Sequence, residues 1–185
     1  MRSFIAFNFE DRIKNDVNRY MNHWRKQATG IKWVGPHGMH LTLKFLGNIE
    51  KDKLSAIRDA VKTVAAHYAP FPVSLKGTGS FPPRSRSPRV LWIGMEANPT
   101  LSALHAEMET ELEQLDFPRE THSFHPHLTL GRVKKGPLPV RLIEDFHQER
   151  ETVFGEMMFR KITIFESLLM KSGAEYSPLA EVNLL

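Results

Sequence analysis

The segment His40-Leu41-Thr42-Leu43 decides how this chain is read, because the same four residues return as His127-Leu128-Thr129-Leu130. Each copy sits in an apolar, β-prone run, Met39 to Leu46 and His125 to Val133. A strand sends successive side chains to opposite faces. In the first copy that puts His40, Thr42 and Lys44 on one face and Leu41, Leu43 and Phe45 on the other. In the second, His127 and Thr129 share a face, while Leu128, Leu130 and, by the same alternation, Arg132 point away. Each strand thus buries leucines and presents an imidazole and a hydroxyl. Two such strands facing one another make a site of two histidines and two threonines.

Outward from the repeats, the chain alternates strand-like and helix-like stretches. Ser3 to Phe9 reads as a buried strand. Ile13, Val17, Tyr20, Met21 and Trp24 form one face of a helix between Asp11 and Ala28, stopped near Gly30. Ile31 to Val34 is a strand, and Pro36-His37-Gly38 breaks the chain before the first repeat. Leu54, Ile57, Val61 and Val64 mark a helix from Lys51 to about His67. Pro70 opens a strand through Leu75, and the Gly-, Pro- and Arg-rich stretch Gly77 to Arg89 reads as an exposed loop. Val90 to Met95 is a strand. Asn98 and Pro99 then start a helix whose stripe is Leu101, Leu104, Met108, Leu112 and Leu115. After the second repeat, Lys134 to Pro139 is a linker, and Leu142, Ile143 and Phe146 give a short helix. Val153 to Phe159, Ile162 to Leu169 and a tail from Tyr176 are strands, the last two a hairpin bent at Gly173.

The expected fold is therefore α+β, a single bilobal domain over residues 1–185. It has two similar lobes, each a mostly antiparallel sheet with helices on its outer face. One repeat falls in each half, and the cleft between the lobes is the expected site.

Composition narrows the class. A length of 185 residues is ample for a substantial core, and 41% hydrophobic with 25% charged residues is ordinary for a globular protein. No window is long and apolar enough for a membrane-spanning helix. The opening Met1-Arg2-Ser3-Phe4-Ile5 runs into a strand-like stretch and does not read as a signal peptide. Cysteine is absent, which excludes disulfide and thiolate chemistry and points to the cytoplasm. A net charge of +4 is compatible with an anionic or nucleic-acid partner without requiring one.

The repeated residue types carry a chemistry. Histidine exchanges a proton near neutral pH, and a pair can hold opposite protonation states, one as general base and one as general acid. Threonine hydroxyls donate hydrogen bonds to a phosphoryl oxygen on which charge develops. In-line displacement at a phosphodiester calls for that set: a base for the attacking water, an acid for the departing oxygen, donors between, and no metal.

The sequence resembles the two-histidine (2H) phosphoesterase superfamily, and within it the RNA 2',3'-cyclic phosphodiesterase family, also called 2'-5' RNA ligase. Besides the two repeats, the matching residues are Arg2-Ser3-Phe4-Ile5-Ala6-Phe7, Phe81-Pro82-Pro83-Arg84 and Arg89-Val90-Leu91-Trp92-Ile93-Gly94. They continue in Phe124-His125-Pro126, Gly131-Arg132, Glu166-Ser167 and Gly173-Ala174-Glu175-Tyr176, so the similarity runs along nearly the whole chain. The resemblance implies hydrolysis of RNA 2',3'-cyclic phosphate ends to 2'-phosphates. It implies His40 as proton donor to the leaving 3' oxygen, His127 as proton acceptor, and Thr42 and Thr129 on the phosphate. The reverse reaction joins a 5'-hydroxyl to the cyclic phosphate as a 2'-5' linkage. The implied partner is RNA with a cyclic phosphate end, tRNA fragments included. No cofactor and no membrane are implied, and a monomer is expected.

Three residues are candidates for substrate binding: Lys44 on the His40 face, His125 beside His127, and Arg84, which with Arg86 and Arg89 can grip phosphates. Arg132 reads as structural. Trp33, Phe81 and Trp92 are either stacking platforms for a base or core. His122-x-x-His125-x-His127 has imidazoles for zinc but no neighbouring Asp, Glu or Cys, so no metal site is expected. Two other readings stand beside the main one. One is a phosphodiesterase for a nucleotide-derived cyclic phosphate or a 2'-5' oligonucleotide; the other is a non-catalytic module that binds RNA ends.

Overall fold

The computed structural model describes residues 1–83, 85, 87–134, 138–170 and 173–185. Its strands are β1 (Arg2–Asn8), β2 (Ile31–Trp33), β3 (His40–Asn48), β4 (Phe71–Phe81), β5 (Val90–Met95), β6 (His127–Val133), β7 (Val153–Phe159), β8 (Lys161–Met170) and β9 (Gly173–Asn183). Its helices are α1 (Asp11–Arg25), α2 (Lys53–Ala65), α3 (Pro99–Glu113) and α4 (Val140–Gln148). All four expected helices form, with α1 ending at Arg25 rather than Ala28 and α2 spanning Lys53–Ala65 within the expected Lys51 to His67. Asn98 accepts the Leu101 N–H at 2.9 Å with Pro99 just inside α3, and the apolar stripes of α1 and α3 are buried.

The strands form two antiparallel sheets, a four-stranded one in the order β3-β1-β8-β9 and a five-stranded one in the order β2-β6-β5-β4-β7. One histidine strand thus lies in each sheet, as the repeats led us to expect. The lobes are nonetheless interleaved in sequence: the first sheet takes strands from both ends of the chain. Its helix α2 packs on β8 and β9 and against α3, while α1 and α4 lie on β7 and β4 of the other sheet. The lobes share one continuous core. Phe7 of β1 stacks flat on Phe159 of β7, with centroids 4.2 Å apart and planes at 3°. A smaller cluster of Phe4, Ala6 and Phe165 lies on the other face of the first sheet.

One stretch departs from its reading. Gly77 to Phe81 continues β4 rather than opening the loop, and Thr78 and Ser80 are buried. A bulge makes this possible. Gly77 adopts φ +74, where a Cβ would stand 2.5 Å from the Arg150 carbonyl oxygen. The Thr78 hydroxyl donates to the Phe146 carbonyl and ties the strand to α4. Arg84 and Arg86 lie outside the described residues, as does the centre of the expected linker, 135–137.

Candidate active site

His40 and Thr42 from β3 and His127 and Thr129 from β6 line one cleft of about 500 Å³. All four side chains are half-buried, and among the described residues neither threonine hydroxyl bonds to the protein. Arg2 and Arg132 line the same cleft and, among the described residues, no acidic side chain does, so its field favours an anion.

The histidines are held differently. The His40 ring meets Phe4 (centroids 4.7 Å) and the edge of Tyr176 (5.0 Å, planes at 88°). Burial disfavours its imidazolium, and the Lys14 charge adds to this, so its pKa is pushed down to about 4. The His127 ring meets Phe81 at 5.2 Å and 79°, and its Nδ1 lies 2.7 Å from the His125 carbonyl oxygen. A carbonyl only accepts, so Nδ1 carries the hydrogen and neutral His127 presents a basic Nε2. Burial also lowers the His127 pKa. The His125 hydrogen bond opposes that shift, while the Arg132 and His125 charges reinforce it.

A β-bulge in each histidine strand rearranges the side chains beyond the threonine. In β3, Ala6 pairs with Thr42 and Ile5 with Lys44, leaving Leu43 without a partner residue on β1. Leu43 and Lys44 therefore both face the core, and Phe45 swings to the cleft side, where it is 60% exposed. This overturns the expectation that Lys44 meets substrate. Lys44 is 3% exposed, with Nζ 2.8 Å from Glu109 Oε2 and 2.6 Å from the Pro118 carbonyl oxygen. In β6 the register slips in the same way: Leu91 pairs with Gly131 and Trp92 with Thr129. Leu130 and Gly131 are both buried and Arg132 turns into the cleft, against its reading as structural. Phe45 and Arg132 stand at corresponding places after the two repeats, three residues beyond each threonine. Strict alternation hid both. Gly131 was the one visible signal, since a Cβ there would lie 2.7 Å from Ile31 Cγ2.

His125 acts on this cleft through its backbone carbonyl; its exposed ring lines a second cleft on another side of His127. Arg84 lies outside the described residues. Trp33 packs against the core beside Gly131. Phe81 and Trp92 support His127 and line the second cleft.

Fold and site define the class: a bilobal α+β protein in which each lobe contributes one histidine–threonine strand to a shared cleft lined by two arginines. The family follows from comparison with known proteins. The model of the 2'-5' RNA ligase superfamily matches residues 9–167. An RNA 2',3'-cyclic phosphodiesterase of Archaeoglobus fulgidus is 34% identical over 97% of this chain and 98% of its own. One of Thermotoga maritima is 34% identical over 98% and 94%. A solved structure from Thermus thermophilus superposes with a TM-score of 0.84 at 29% identity, covering 100% of this chain and 98% of that one. The chain belongs to the 2'-5' RNA ligase superfamily, as its motifs implied.

Proposed function

We propose that this protein is an RNA 2',3'-cyclic phosphodiesterase that opens the terminal cyclic phosphate to a 2'-phosphate by metal-independent acid–base catalysis. The full-length similarity to relatives of that name supports cyclic phosphodiester hydrolysis. The observation that carries the mechanism is the pairing of two histidine–threonine strands across one cleft that Arg2 and Arg132 also line, with the tautomer of one histidine set by its own backbone.

In this mechanism the cyclic phosphate anion sits against Thr42, Thr129 and the Arg132 guanidinium, which offset the charge that builds on its nonbridging oxygens. His127 Nε2 takes a proton from water as the water oxygen bonds to phosphorus. The P–O3' bond breaks in line, and His40 gives its proton to the departing oxygen. In the free protein His40 is neutral at pH 7, its pKa being about 4. The bound anion supplies the opposite charge that draws a proton onto it. Substrate therefore arms its own acid.

Within the same reading, residues 1–185 work as a single bilobal domain and as a monomer in the cytoplasm, with tRNA fragments among the substrates. The absence of cysteine supports the compartment. Among the described residues no helix is long and apolar enough to cross a membrane.

The test uses a short RNA with a 2',3'-cyclic phosphate end in excess EDTA. Wild type converts it to the 2'-phosphate, and His40→Ala and His127→Ala each lose about 10²–10⁴-fold in kcat. Turnover abolished by EDTA and restored by zinc overturns the mechanism.

A further inference from the structure

The second cleft is nearly as large as the first, about 490 Å³, and nothing in the hydrolysis uses it. Its position is what gives it meaning. His127 lines both clefts, so the residue assigned above as proton acceptor also borders the second space. Phe81, Trp92 and Met95 supply apolar and aromatic surface there. Trp92 lies over Gly79, where any Cβ would come within 2.1 Å of the indole ring, so that platform has one seat. The polar lining includes Lys76, His125 and Arg150, with no acidic side chain among the described residues. Lys76 is already paired with Glu151 (3.1 Å) and Glu96 (3.6 Å). Arg150 is exposed and has no acidic partner among the described residues.

The stereochemistry of displacement says what belongs there. The nucleophile enters opposite the leaving O3', on the side of the group that takes its proton. Water has no substituent and leaves the second cleft empty. A 5'-hydroxyl carries a ribose, a base and a following phosphate, all of which extend beyond the proton acceptor. A cleft of this volume holds a nucleoside, aromatic faces accept any base, and an arginine without an acidic partner suits the phosphate.

We propose that the cleft beyond His127 is the subsite for the nucleoside bearing the attacking 5'-hydroxyl during 2'-5' ligation, the nucleoside that departs when a 2'-5' linkage is cleaved. This rests on His127 being the proton acceptor of the function proposed above. The step balances without a co-reactant. The 5' oxygen bonds to phosphorus as its proton passes to His127 Nε2, the P–O3' bond breaks, and O3' receives the proton of His40. The product is a 2'-5' phosphodiester beside a free 3'-hydroxyl.

The experiment mixes an RNA ending in a 2',3'-cyclic phosphate with a 5'-hydroxyl oligonucleotide blocked at its 3' end, and follows ligated and hydrolysed products together. Arg150→Glu is expected to raise the KM for the 5'-hydroxyl strand about tenfold, the loss of one charge-assisted contact. Met95→Trp, which fills the cleft, suppresses ligation by a comparable factor. Both variants leave hydrolysis of a mononucleoside 2',3'-cyclic phosphate unchanged, which also shows that they fold. Intact hydrolysis with ligation indifferent to both variants, or with no ligation by wild type at saturating 5'-hydroxyl strand, overturns the subsite alone. A wild type inert on the cyclic phosphate overturns the function on which it rests.

Discussion

His40 and His127 are each followed by the same three residues, Leu-Thr-Leu, so the repeat itself does not tell them apart; their surroundings do. His127 donates through Nδ1 to a carbonyl two residues upstream, a contact its own strand entrance supplies. His40 is set by rings from other elements, Phe4 of β1 and Tyr176 of β9. Burial against those rings has a consequence for stability. The folded protein holds the His40 pKa at about 4, whereas the unfolded chain has an ordinary histidine near 6.5. Between these values the unfolded state binds the proton that the folded state refuses, so stability is complete above pH 6.5 and falls as pH drops toward 4. The difference is worth roughly 3 kcal/mol for this one residue. His127 and His105, both also lowered by burial, add in the same direction. Urea unfolding from pH 7.5 to 4.5 is expected to show this decline, and His40→Asn to flatten it. An equal slope in the variant would mean that His40 titrates normally in the folded protein.

At the scale of elements, the two bulges do the work that alternation was expected to do. Each inserts one residue after the threonine, so that two successive side chains face the core and the next returns to the cleft. In β3 the displaced residue is Lys44, and the protein surrounds it. Glu109 Oε2 accepts from both Lys44 Nζ and the Glu120 N–H, each at 2.8 Å, so α3 holds the strand of the first repeat and the loop leading to the second. Lys44→Met is expected to cost about 3–5 kcal/mol, because it strands a carboxylate in the core. Lys44→Met with Glu109→Leu recovers part of that loss in urea unfolding, and the KM for RNA is unchanged in either protein. A raised KM with unchanged stability would return Lys44 to the substrate. Helix positions were legible beforehand, because the 3.6-residue stripe and the Asn98 cap are local signals. Register slips depend on a partner strand far away in sequence, and Gly131 in β6 was the single local mark of either one.

At the scale of the molecule, two sheets built from interleaved segments share one core. The contact of Phe7 with Phe159 joins β1 of one sheet to β7 of the other. Because no boundary divides that core, unfolding is expected as one cooperative transition, with tryptophan fluorescence and far-ultraviolet dichroism coinciding. Phe7→Ala lowers the midpoint of both probes together, at a cost of about 3–5 kcal/mol. Two separated transitions would mean that the lobes are independent domains. The residues by themselves determined the class of chemistry, the pairing of His40-x-Thr42 with His127-x-Thr129, and the strands and helices that carry them. Those follow from side-chain pKa values and short periodicities, which are properties of adjacent residues. Only the tertiary structure decided that Phe45 and Arg132 enter the cleft while Lys44 leaves it, that His127 presents Nε2, and that a second cleft lies behind it. These depend on which distant strand pairs at which residue, and on how much water burial removes from each ring.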